Sequence, residues 1–278
     1  MSYRNELIER IEKIAKRIER GEYMKRREID GTVEELYEFE NGYKKVFIKL
    51  SFKNNGNYFH PPFSYYYKNF CKEWEIEDIN SEGLIEISIQ NFNFLDFAIS
   101  FAHEDSHRKL YEIEEFRNYM KRKNEKFEEE AKVFLDIYLT IKEILNELKE
   151  YVNKENKCKN DISNFYKINP INVLNEEHSI IGEFLIIFHY SKGKEAIKYV
   201  EKRIESRKFD IPIYSLAIKD LMESKVGKLI NEFRKNPNEI LRKRIIEELE
   251  RKRGEIIEIL KNKCKREIKK SLEVQLYS

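Results

Sequence analysis

The sequence predicts an α+β protein, a small N-terminal antiparallel sheet followed by a predominantly helical region. Apolar residues recur at helical spacing at the start of the chain and over most of its second half. Between those stretches lie short runs rich in aromatic and β-branched residues, bounded by turn residues. Glycine (9) and proline (5) are scarce among 278 residues, which favours long ordered elements over loops.

From Asn5 to about Arg26, Leu7, Ile11, Ile14, Ala15 and Ile18 repeat among charged residues as one face of an amphipathic helix. Val33 to Phe39 and Tyr43 to Phe52 then read as strands, and Asn41-Gly42 between them is a two-residue hairpin signal. Asn54-Asn55-Gly56-Asn57 ends the second strand, and an aromatic tract from Tyr58 to Trp74 follows, expected to be a loop or lid. After Ser81-Glu82-Gly83, Ile85, Ile87 and Ile89 alternate with Glu86, Ser88 and Gln90 as a half-buried strand. The next helix is apolar nearly all round from Phe94 to Ala102 and is expected to be buried. A second long helix starts near Asn124, with Phe127, Ala131, Phe134, Tyr138, Ile141 and Leu145 in one stripe. The polar run Asn153 to Asp161 marks a boundary between an N-terminal domain, residues 1–155, and a helical C-terminal domain, residues 156–278. Asn169-Pro170, Ser191-Lys192-Gly193 and Asn236-Pro237-Asn238 punctuate the helices of that second part. The last helix, roughly Asn238 to Glu273, interleaves basic clusters with glutamates, the pattern of a solvated, salt-bridged face.

Net charge is only +2, so no global basic field points to nucleic acid or an anionic membrane. Cys71, Cys158 and Cys264 form no C-x-x-C pair, which argues against a disulfide framework or a cysteine zinc knuckle. The N-terminus has no apolar signal core, and no stretch is long and apolar enough for a membrane span; the expected location is cytoplasmic. Charged residues at 37%, with glutamine nearly absent, give a thermophile-like composition.

The residues that carry chemistry are His103-Glu104-Asp105-Ser106-His107, an H-E-x-x-H on a predicted helix. Two histidines four apart project from the same side and can hold one zinc ion, and the glutamate between them can activate a metal-bound water. A catalytic zinc needs a third protein ligand. The next helix offers Glu128-Glu129-Glu130-Ala131.

This order of strand, H-E-x-x-H helix and a second helix opening with glutamate resembles the gluzincin metallopeptidases, including the small helical members of that clan in bacterial and phage regulation. The resemblance implies that His103 and His107 bind Zn²⁺, with Glu104 as general base and a peptide or protein as substrate. It implies a third ligand at Glu128, by family spacing; Glu130, nearer the centre of the apolar stripe, is the alternative. It also implies that the strand from Leu84 to Gln90 aligns an extended substrate. Asp96 is a further candidate, a carboxylate that would orient an imidazole from behind. The chain departs from the pattern at Asp105 and Arg108, where uncharged or apolar residues are usual. The longer metzincin form is excluded, since positions 110 and 113 are Leu and Ile.

Three other readings stand beside it. The motif residues are polar side chains where a buried helix emerges into solvent; or Glu104-x-x-His107 is half of a ferritin-like di-iron site, which wants a second E-x-x-H that the chain lacks. In the third, the chain is a non-catalytic protein- or nucleic-acid-binding helical protein. The aromatic tract, with Lys53, Lys68 and Lys72, would stack the bases of a single strand, and the basic last helix would follow its phosphates.

Overall fold

The computed structural model describes residues 2–41, 44–52, 57–77, 81–125, 169–208 and 212–277. Helix α1 (Tyr3–Glu19) is followed by strands β1 (Lys25–Ile29), β2 (Thr32–Asn41), β3 (Lys44–Ser51) and β4 (Tyr58–His60), helix α2 (Tyr65–Glu73) and strand β5 (Ser81–Ser88). Helix α3 (Phe94–Leu110) comes next, residues 114–125 are helical, and the chain continues as α4 (Pro170–Tyr190), α5 (Gly193–Lys208), α6 (Pro212–Glu223), α7 (Lys225–Lys235) and α8 (Glu239–Tyr277). The architecture is α+β, a five-stranded sheet followed by helices. No helix among the described residues is long and apolar enough to cross a membrane.

The sheet has the order β1-β2-β3-β5-β4. β2 and β3 pair antiparallel with Asn41 opposite Lys44, in line with the hairpin signal. β1 is a strand where the sequence reads as the end of the first helix. Its charges, Lys25 to Glu28, mimic a helix surface, yet charged residues on an exposed edge strand guard against further pairing. Asp30 and Gly31, both at positive φ (50° and 71°), make the tight β1–β2 turn. β3 and β5 run parallel, so the sheet is mixed. The crossover through β4 and α2 is long enough to return the chain in the same direction and seat β5 between β3 and β4.

The aromatic tract forms β4 and α2 and buries part of its rings, which corrects the loop or lid expectation. Tyr67, Phe70, Cys71 and Trp74 are buried on the outer sheet face with Leu36, Phe47 and Leu84, while Tyr58 and Tyr66 remain exposed. On the inner face, Ile48, Leu50, Ile85 and Ile87 belong to a core shared with Leu7 and Ile11 of α1, Phe97 and Phe101 of α3, Phe184 and Phe188 of α4, and Leu249 and Leu260 of α8. The expected boundary near residue 155 lies outside the described residues, as does the helix expected beyond Asn124 except for residues 124 and 125.

Helix α3 runs through this core, and polar contacts fix its position. Arg108 Nε donates to Asp105 Oδ1 (2.6 Å) and Arg10 of α1 donates to Asp105 Oδ2 (2.6 Å). Arg108 Nη1 also reaches Glu82. Glu82 is the extra residue of a bulge, since Lys45 pairs with Ser81 and Val46 already with Gly83. The Tyr3 hydroxyl donates to Ser106 Oγ (2.5 Å), which donates to the Ala102 carbonyl (2.6 Å). Helix α4 crosses α3 at Gly182, where a Cβ would overlap Ser106 Oγ and lie 2.9 Å from the Ala102 oxygen.

Two outcomes follow from this packing. Gly182→Ala forces α3 and α4 apart, with an expected loss of about 1–3 kcal/mol in denaturant unfolding, the usual cost of overpacking. Burial alone would raise the Asp105 carboxyl, but Arg108 and Arg10 lower it from 3.8 to about 2. Its contribution is therefore complete above the unfolded value and lost as pH falls towards 2. The thermal midpoint should drop between about pH 4 and pH 2. Asp105→Asn should lose that component and be destabilised at neutral pH by about 1–3 kcal/mol, because Arg108 and Arg10 each lose one carboxylate partner while keeping Glu82 and Glu6.

Candidate metal centre

His103 and His107 lie one turn apart on α3 and face α4, where Asn175-Glu176-Glu177-His178-Ser179 forms a polar island in an otherwise apolar helix. The two Nε2 atoms are 3.2 Å apart. Glu176 Oε2 lies 3.5 Å from His103 Nε2 and Glu176 Oε1 lies 3.6 Å from His107 Nε2. One ligand atom from each of the three residues falls within 4.8 Å of the others, a set able to hold a metal ion. Glu104 Oε1 is 3.9 Å from His103 Nε2.

The contacts behind the imidazoles turn both Nε2 atoms inward. His107 Nδ1 donates to Asn175 Oδ1 (2.9 Å) and lies 3.0 Å from Ser179 Oγ, whose hydroxyl donates to the Asn175 carbonyl (3.2 Å). His103 Nδ1 is 2.8 Å from Glu183 Oε1. Two ring nitrogens facing each other beside a carboxylate repel unless a proton or a cation stands among them. Burial would lower the His107 imidazole, yet Glu176, with smaller contributions from Glu104 and Asn175, raises it to about 9. A metal ion entering here displaces that proton. Two histidines and one carboxylate, with a position left open, are the ligand set of catalytic zinc. The Tyr214 ring, from α6, lies 6.4 Å from the His103 ring.

Of the residues singled out in the sequence, His103, Glu104 and His107 come together. Glu128 and Glu130 lie outside the described residues. Among the described residues the carboxylate that joins the histidines is Glu176, sixty-nine positions after His107 (176 − 107). Its signal was present: carboxylates at 176, 177 and 183 in a helix otherwise rich in Ile, Leu and Phe are too costly to bury without partners. Asp96 does not orient an imidazole. It is exposed in the first turn of α3, and Glu183 lies behind His103 instead. The two departures from the zincin pattern, Asp105 and Arg108, pair with each other on the side of α3 away from the imidazoles. β5 is flanked by β3 and β4 over Leu84 to Glu86, so both of its edges are taken there.

The motif does not sit where a helix emerges into solvent: His103 and Glu104 are 4% and 3% exposed. A di-iron centre needs four or more ligands, and the group found among the described residues has three. No family model, curated protein or solved structure matches this chain.

If Glu176 is the third ligand, the purified protein should carry about one divalent metal per chain. His107→Ala and Glu176→Ala should lose it on dialysis, whereas Glu128→Gln and Glu130→Gln should keep it; elemental analysis of the five proteins decides between the glutamates.

Proposed function

We propose that this chain is a zinc-dependent hydrolase, most simply a metallopeptidase, with His103, His107 and Glu176 as metal ligands and Glu104 as general base. The observation that carries the reading is the convergence of two inward Nε2 atoms and the Glu176 carboxylate, with the buried Glu104 beside them. Arrangement supports it too: an H-E-x-x-H helix whose third partner is a glutamate on a later helix is the gluzincin order.

Zinc bound at such a site supplies a Lewis acid that polarises a carbonyl and acidifies a water. Glu104 then has the proton work. With its Oε1 3.9 Å from His103 Nε2, it would accept a proton from the attacking water and return it to the departing amine. Glu104 is 3% exposed, so its carboxylate acts with little competing solvent. Helix α3 supplies base and two ligands at fixed spacing, and α4 supplies the third ligand. The preorganisation this requires comes from the α3–α4 contact at Gly182.

The test uses a quenched-fluorescence peptide library. Wild-type protein should cleave it, lose activity to a chelator and recover it with added zinc. Glu104→Gln should bind zinc at wild-type stoichiometry while turnover falls by about 10²–10⁴-fold. Full turnover in Glu104→Gln, or no hydrolysis by the zinc-loaded wild type across the library, would overturn the assignment.

A further inference from the structure

The two histidines are held from behind by chemically different groups. His107 has neutral partners, Asn175 and Ser179. Behind His103 is Glu183, two turns after Glu176 on α4, with a side chain 1% exposed. Its Oε1 lies 2.8 Å from His103 Nδ1 and its Oε2 lies 3.3 Å from Arg203 Nε on α5. The first contact is at ion-pair distance but off the line of the ring N–H, so Glu183 acts on His103 through charge more than through an aligned hydrogen bond.

A carboxylate buried this deeply is unfavourable unless positive charge or donors face it. The imidazole Nδ1 and the guanidinium Nε stand at ion-pair distance from Glu183, one at each oxygen. Negative charge on the Nδ1 side holds the imidazole proton there. The Nε2 lone pair is then directed toward Glu176 and becomes a stronger donor to a metal. Arg203 stands at ion-pair distance from the second carboxylate oxygen and balances the charge that faces the ring. It also ties α5, which carries none of the three ligands, to the centre.

We infer that Glu183, clamped by Arg203, is the positioning residue of the metal centre and makes His103 the more strongly donating of the two histidines. This rests on the metal-site reading above and adds to it a requirement for charge at position 183 and for a cation at position 203.

The test measures zinc affinity by competition with a chromophoric chelator, and the visible spectrum of the cobalt-loaded protein, in wild type and four variants. Glu183→Gln keeps shape and loses charge; it should weaken zinc binding by about 10–100-fold and shift the cobalt spectrum. Arg203→Met, on a partly exposed helix face, should fold as wild type and weaken binding in the same direction but less, and Arg203→Lys should restore it. Asn175→Ala, which leaves Ser179 behind His107, should cost less affinity than Glu183→Gln. Wild-type affinity and spectrum in Glu183→Gln would overturn the inference while leaving the metal site standing. If Glu183→Gln fails to fold, unchanged affinity in Arg203→Met overturns it equally. Absence of zinc and cobalt binding in the wild type would remove the metal site itself, a result readily told apart from the other two.

Discussion

Six consecutive polar side chains, His103 to Arg108, cross the centre of this protein on α3, and all six are buried. Unpaired, such groups would cost several kcal/mol each. The surrounding fold is arranged around supplying their partners. Arg10 and Tyr3 come from α1, Glu82 from the bulge at the start of β5, and Glu176, Ser179 and Glu183 from α4. The apolar core that unites the sheet with α4 and α8 forms around this axis.

The polar run divides by direction around the helix. Asp105 and Arg108 face α1 and the sheet, where each charge meets an opposite charge, and Ser106 bonds Tyr3 of α1 while packing on Gly182 of α4; these three are structural. His103 and His107 face α4, where two imidazoles meet a carboxylate. Here the two Nε2 atoms stand 3.2 Å apart, and a proton or a metal ion between them balances the arrangement. Two imidazole nitrogens and a carboxylate around one point are a donor set able to hold a metal ion.

Helix punctuation was legible because it is local chemistry. Asn169 caps α4 with Pro170 in its first turn, the chain leaves α4 at Ser191 and starts α5 at Gly193, and Asn236 ends α7. The β2–β3 pair followed from its turn residues in the same way. β1 was not legible, since an exposed edge strand tolerates charges on both faces and so carries no period of its own. The aromatic tract was ambiguous for a related reason. Rings that pack under a sheet and rings that wait for a ligand have the same composition, and burial of Tyr67, Phe70 and Trp74 separates the two.

By itself the sequence determined the α+β class, the helix that carries His103, Glu104 and His107, and the spacing that sets both imidazoles on one side of it, because a helix repeats every few residues and needs no distant information. What faces those imidazoles depended on tertiary structure. Glu176 reaches them only because Gly182 lets two helices far apart in the chain approach closely, and Glu183 and Arg203 enter through the same crossing. A carboxylate that joins two histidines from a distant helix leaves no fixed spacing to read. It is decided by which faces bury against each other, a property of the packed core rather than of any short stretch of chain.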